Sequence, residues 1–154
     1  MAIQLGNHVR DRVSGFEGFV TSRHDFLHGS VQFGVTGPTT ERHPEGVTVC
    51  IDEATLEKTD KPGTEDTVKQ ADTPSVSFGD EVEDTVSGYR GVVNRLGVYL
   101  NGCVLVSIQA RADKDMKVPD RCWVDHKQVK VIKPKKVDVP QKRTGGPSSI
   151  IARS

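Results

Sequence analysis

Apolar residues recur at every second position in short runs along the chain. Val31, Phe33 and Val35 alternate with Gln32 and Gly34, and Val104, Val106 and Ile108 repeat the pattern later. A period of two is that of a half-buried strand, so both runs are predicted as strands with these residues facing inward. Ser14-Gly15, Ser87-Gly88 and Asn101-Gly102 punctuate the pattern as turn dipeptides. Asn-Gly is a strong hairpin signal because both residues tolerate positive φ. Its earlier counterpart is His28-Gly29, so His28 reads as a turn residue. Gly18 and Gly91 fall inside the longest predicted strands, where glycine marks a bulge or a sharp bend that lets a small sheet curl. Asp52 and Asp125 each open a short turn and are predicted to cap one helical turn. Leu56 and Val129, with Val131 and Ile132, follow as a fifth strand that closes a barrel.

These elements occur twice. A shift of 73 residues aligns Leu5 to Glu57 with Phe78 to Lys130 without a gap, giving 12 identities in 53 paired positions. The identities fall on glycines and on alternating apolar residues, the positions a backbone constrains most. Gly6, Val9, Asp11, Val13, Ser14, Gly15, Gly18 and Val20 meet Gly79, Val82, Asp84, Val86, Ser87, Gly88, Gly91 and Val93. Internal repetition at this spacing implies two copies of one supersecondary unit.

Composition refines that picture. Hydrophobic residues make up 34% of the 154 and aromatics 5%, so each of two cores is small and built mainly of valine. Between the copies, Lys58 to Ser75 holds one valine and no larger apolar residue, the composition of a mobile linker. Twenty-one basic residues balance 21 acidic ones, but unevenly. Leu5 to Leu56 carries 4 basic and 7 acidic residues, whereas the chain from Lys133 onward carries 6 basic and 1 acidic. The expected organisation is all-β: barrel one at 1–57, a flexible linker at 58–75, barrel two at 76–133, and an extended basic tail at 134–154.

No stretch reaches the ~20 apolar residues of a membrane-spanning helix, and the first five residues are too short for a signal-peptide apolar region, so no membrane partner is expected. Cys50, Cys103 and Cys122 show no C-x-x-C spacing, and reduced thiols in a cytoplasm of synthesis are expected, with Cys103 buried on an inward-alternating strand.

The Gly79 to Val82 start, followed by Gly88-Tyr89-Arg90-Gly91-Val92-Val93, resembles SH3-like small barrels of the KOW type. The first copy keeps Gly6, Val9 and Gly15 to Val20 but has Asn7 in place of aspartate. More narrowly, Val9 to Val20, Tyr99 to Cys103 and Thr144 to Pro147 resemble segments that recur in small one- or two-barrel proteins encoded by tailed bacteriophages and prophages. The resemblance implies five-stranded barrels in tandem and a viral setting. It implies no activity, because a shared fold does not fix function.

Candidate chemistry points away from catalysis. His24 and His28 are four apart but flank a hairpin, where that spacing has no ligand meaning, and neither copy assembles three or four metal ligands at recognised spacing. No metal or cofactor is expected. Asp11, Asp84, Asp52 and Asp125 read as turn and cap residues rather than general acids or bases. No Walker loop, dinucleotide fingerprint or Ser-His-Asp arrangement is present. Trp123 is expected to plug the second barrel, with an interface anchor as the alternative, and Tyr89 and Tyr99 carry the same ambiguity. The tail reads as a flexible solubilising end, as a phosphate contact through Lys135, Lys136, Lys142 and Arg143, or as an arm in which Ile150 and Ile151 add to a neighbouring subunit. The expectation is a non-enzymatic virion component made in the host cytoplasm, capsid-decorating or head-associated, with protein partners and self-association in view. The alternative is a cytoplasmic phage accessory protein that binds nucleic acid or a nucleotide through the barrels and tail.

Overall fold

The computed structural model describes residues 2–137. The protein is all-β. The described residues form ten strands: β1 (His8–Asp11), β2 (Glu17–Phe26), β3 (Val31–Thr36), β4 (Thr48–Asp52), β5 (Leu56–Lys58), β6 (Glu81–Asp84), β7 (Arg90–Tyr99), β8 (Val104–Gln109), β9 (Cys122–Asp125) and β10 (Val129–Lys133). Single 3-10 turns, Glu53–Thr55 and His126–Gln128, separate β4 from β5 and β9 from β10.

The chain forms two compact units. Of the described residues, unit one holds those up to His24, Val31–Pro74 and Leu96–Leu105; unit two holds Asp25–Ser30, Ser75–Arg95 and 106–137. The units therefore cut across the repeat boundaries. Each takes in the hairpin tip that follows the long strand of the other copy. In unit one the Leu100 amide donates to the Thr21 carbonyl (3.0 Å), and in unit two the Leu27 amide donates to the Asn94 carbonyl (2.9 Å). These two bonds are equivalent under the 73-residue shift.

Within unit one the antiparallel order is β5-β1-β2-β3-β4. β5 pairs with β1 and β4 pairs with β3, and neither end strand pairs with the other. The sheet is open, which corrects the expectation of hydrogen-bonded closure by the fifth strand. The predicted periodicity holds. Val9, Val20, Phe33, Val35, Ile51 and Leu56 are buried together, with Ile3, Leu5, Phe16 and Val31 packed against them. Their six counterparts, Val82, Val93, Val106, Ile108, Val124 and Val129, are all buried in turn. Full burial of such a side chain stabilises by about 1.5–3 kcal/mol, which makes these positions the least free to vary.

The conserved turn explains itself locally. The Asp11 carboxylate accepts from the Val13 amide (3.2 Å), the Ser14 amide (3.1 Å) and the Ser14 hydroxyl (2.6 Å). Gly15 then supplies φ +81°, a conformation that costs a side-chain-bearing residue energy. Asp84, Ser87 and Gly88 reproduce the arrangement, with the Ser87 hydroxyl donating at 2.5 Å. Asp52 and Asp125 cap the 3-10 turns as predicted, each accepting at 2.9 Å from the amide two residues on.

Gly18 and Gly91 are required for a different reason than a bulge. The β1-β2 and β6-β7 registers run through them without interruption. A Cβ at Gly18 would collide with the Thr36 carbonyl, and one at Gly91 with the Gln109 carbonyl and the Ile108 side chain. Close backbone approach fixes both.

The segment after β5 carries no regular secondary structure, yet it is laid against unit one rather than hanging as a linker. The Thr59 amide donates to the His8 carbonyl (3.1 Å), the Thr64 amide to Gly6 (2.7 Å) and the Lys69 amide to Leu100 (2.9 Å). The bond between Thr64 and Gly6 has its equivalent in unit two, where the Val137 amide donates to the Gly79 carbonyl (3.1 Å). The structural repeat thus extends to residues 64 and 137, past the last aligned strand. Asn7 and Asp80 illustrate how the copies diverge. Asp80 accepts from the Ser77 amide (2.9 Å) and from the Lys135 amide (3.0 Å). Asn7 accepts from Gln4 (2.8 Å), and the residue equivalent to Lys135 is Pro62, which has no amide hydrogen to offer.

Candidate functional site

Residues of β2 and β4, with the hairpin tip after β7, enclose an open recess of about 540 Å³ in unit one. Strand parity supplies its β4 wall. Phe33, Val35 and Ile51 point into the core, so Gly34, Cys50 and Thr48 belong to the outward face, where the register sets Gly34 opposite Cys50 and Thr36 opposite Thr48. Gly34 offers no side chain, and a Cβ there would run into the Ser22 hydroxyl. Ser22 covers Gly34, and the recess is walled by Thr21, Ser22 and His24 on one side, Thr48 and Cys50 on another, and Tyr99, Leu100 and Asn101 on the third.

Most polar groups of the recess are already oriented. Thr21 Oγ1 lies 3.0 Å from Thr36 Oγ1, which lies 2.7 Å from Thr48 Oγ1, forming a hydroxyl chain across three strands. Ser22 Oγ is 3.0 Å from His24 Nε2, and the His24 ring meets Tyr99 edge to face at 5.8 Å. Burial, followed by the nearby Cys50 and Cys103 thiols, raises the Tyr99 phenol above its usual range, so it is a neutral hydrogen-bonding group. The Asn101 side chain accepts from the Cys103 amide (2.9 Å) and holds the hairpin tip in shape. Among the described residues, no aspartate, glutamate, lysine or arginine lines the recess.

A second open recess of unit one, about 600 Å³, lies between His8, Phe19 and the 61–66 segment. His8 Nδ1 is 2.6 Å from Thr59 Oγ1, and its ring meets Phe19 edge to face at 5.2 Å. In unit two the position of His8 is Glu81 and that of Gly63 is Lys136, and these form an ion pair of 2.6 Å. That bond, chiefly, lowers the Glu81 carboxyl below its usual range.

The predicted site residues separate into three groups. Tyr99 lies in the recess just described. Tyr89 is half-buried and structural: its hydroxyl donates to the Asp120 carbonyl (2.7 Å) and accepts from the Ala110 amide (3.2 Å). Trp123 is no plug. It stands 38% exposed beside the inward Val124, because the β9 parity that buries Val124 turns its neighbour outward. Lys135 and Lys136 are engaged with unit two, through the Lys135 amide on Asp80 and the Lys136 ammonium on Glu81. Lys142, Arg143, Ile150 and Ile151 lie outside the described residues. The thiols also depart from expectation: Cys50 and Cys103 are exposed and Cys122 is half-buried. Cys103 precedes the first inward residue, Val104, and so faces away from the core. His28 is the turn residue expected, its Nε2 2.9 Å from Ser30 Oγ and Gly29 at φ +95°.

Sequence reasoning missed Ser22, His24, Thr48, Cys50 and Asn101 as recess residues. For Thr48 and Cys50 the available signal was parity, since both fall on the outward side once Ile51 is placed inward; Ser22 and His24 share the parity of the buried Val20 and Asn101 lies in a turn, so for them no such signal existed. Among the described residues no cluster of three or more potential metal ligands occurs. No family model, curated protein or solved structure matches the chain.

Proposed function

We propose that the protein is a non-catalytic interaction component of a tailed phage, built on two SH3-like small barrels and associated with the virion as a capsid-decorating or head-bound factor. One observation carries the binding part of this reading. The two units keep the same buried core and the same aspartate-served turns while exposed positions diverge: Cys50 against Trp123 and Thr48 against Arg121. A scaffold held constant beneath a changing face is the pattern of a recognition module. The acids a hydrolytic reading would recruit, Asp11, Asp84, Asp52 and Asp125, are spent on backbone amides of their own turns. The viral part rests on the sequence resemblance, whose first segment is the β1-turn-β2 unit and whose second is the tip after β7.

Two different faces on one chain suit engagement of two sites on a repetitive lattice, where linkage raises the effective concentration of the second contact. The nucleic-acid alternative is weakened by Lys136, whose charge is already met by Glu81. The test is fractionation of infected-cell lysate. Co-sedimentation with assembled particles, confirmed by mass spectrometry of purified virions, is expected. Absence from particles together with salt-sensitive retention on DNA or RNA would replace this reading with the alternative.

A further inference from the structure

Because the chain contains two copies of one scaffold, each copy shows what the other can accommodate. The recess of unit one exists where Cys50 and Thr48 meet the hairpin tip. In unit two the residue in place of Cys50 is Trp123, on the same outward parity beside the buried Val124, just as Cys50 stands beside the buried Ile51. The scaffold that leaves a hollow in one unit thus carries an indole in the other.

We propose that the unit-one recess binds a neutral, planar aromatic side chain of indole size, presented by a protein partner. The proposal rests on the interaction reading above and names the chemistry that its recess recognises. Three features select this ligand. First, the volume, about 540 Å³, falls in the range of small-ligand sites. Second, aromatic surface is present where a ring would sit: Tyr99 and His24, already edge to face, offer a further ring a similar packing. Third, among the described residues the lining has no lysine or arginine to meet a phosphate and no acid to meet a cation, while its hydroxyls and the neutral Tyr99 phenol suit an indole N–H. Unit one is acidic overall, which disfavours a nucleic-acid base brought in on a phosphate backbone.

The test is a titration of the ¹⁵N-labelled full chain followed by NMR, with N-acetyl-tryptophanamide, N-acetyl-leucinamide and adenosine as probes. Saturable shifts with the tryptophan derivative are expected at the amides of Thr21, Ser22, Thr48, Cys50, Tyr99 and Asn101, with at least roughly tenfold weaker response to the other two probes, a difference of about 1.4 kcal/mol. Cys50→Trp, which builds the unit-two residue into unit one, should abolish the response while leaving spectral dispersion intact. Thr48→Arg, which copies Arg121, blocks the same space by a second route and decides the matter should the first variant misfold. Saturation elsewhere, equal response to the leucine derivative, preference for adenosine, or undiminished binding by a folded blocking variant would each overturn the proposal. Absence of the protein from virions would remove the viral reading and leave this titration unaffected.

Discussion

Arg10 and Glu83 occupy the same place in the two repeats and carry opposite charge, and both cross-strand partners of each have changed sign with them. Arg10 on β1 lies opposite Glu17 on β2 and Glu57 on β5. Glu83 on β6 lies opposite Arg90 on β7 and Lys130 on β10. Arg10 reaches Glu57 at 2.7 Å, and Arg90 reaches Glu83 at 2.7 Å. Directly opposed side chains are the unit of sheet stabilisation, and like charges facing each other destabilise. Inversion of a whole triplet is how a duplicated sheet changes its surface charge without losing its ladder.

Compensation should therefore be measurable. Arg10→Glu aligns three acids across β5-β1-β2 and is expected to cost about 0.5–1 kcal/mol, the modest scale of exposed pairs. The triple variant Arg10→Glu, Glu17→Arg, Glu57→Lys recreates the unit-two arrangement and should regain most of that loss. Urea denaturation at low and high salt checks it. A triple variant no more stable than Arg10→Glu would show that the pairing is incidental.

Acid should loosen both units through their shared turn. The serine hydroxyls, above all, hold the Asp11 and Asp84 carboxyls at about 2, against the usual 3.8. A carboxyl whose folded value is depressed contributes stability that is complete above its unfolded value and disappears as the pH falls through its folded value. Glu81, lowered by Lys136, acts in the same direction. The denaturation midpoint is expected to fall between roughly pH 4 and pH 2. The Asp11→Asn, Asp84→Asn double variant should show a flatter profile across that window. An unchanged slope in the double variant would assign the acid response to other groups.

Local chemistry was legible in the sequence, and contacts between distant segments were not. The Asp-x-x-Ser-Gly turns, the Asp52 and Asp125 caps and the six matched core positions follow from residue type and a period of two, and the structure has all of them. Parity also contained the answer for Trp123 and Cys103, since Val124 and Val104 claim the inward places beside them. Expecting tryptophan and cysteine to be buried by type overrode it. The docking of residues 59–64 had no such signal. It depends on backbone amides meeting the His8 and Gly6 carbonyls, which hydropathy does not register, and Thr64 and Val137 share no side-chain chemistry although they make the same bond. The exchange of hairpin tips between units was likewise invisible, because it leaves the pattern within each strand unchanged.

The thiols give an inexpensive check on parity. Cys50 and Cys103 are exposed and Cys122 is half-buried. Brief alkylation of the native protein should modify the first two ahead of the third, as read by peptide mass spectrometry. Faster labelling of Cys122 would place β9 in the opposite register.

Glycine positions separate two kinds of constraint. At Gly15 nothing lies within 4 Å of an added Cβ, and only the left-handed backbone at φ +81° resists substitution, so Gly15→Ala should cost about 1 kcal/mol. At Gly18 the obstacle is the Thr36 carbonyl, part of a neighbouring strand that cannot rotate away. Gly18→Val is expected to cost about 3 kcal/mol, the upper range for overpacking, and Gly91→Val the same against Gln109. Thermal melts of the three variants rank them, and a Gly18→Val variant as stable as Gly15→Ala would mean that β2 and β3 can part without penalty.

The second unit should need the residues beyond its last strand. Although β10 ends at Lys133, the Val137 amide serves Gly79, as the Thr64 amide serves Gly6 in unit one, and the Lys135 amide adds a bond to Asp80 that unit one, with Pro62 there, does not have. Two backbone amides donating to partly covered acceptors contribute about 1–3 kcal/mol together. A chain ending at Val137 is therefore expected to be more stable than one ending at Lys133 by that amount, with the difference confined to unit two in amide hydrogen exchange. Equal stability of the two truncations would show that Asp80 and Gly79 find water an equal partner, and that the equivalent Thr64 contact in unit one is equally dispensable.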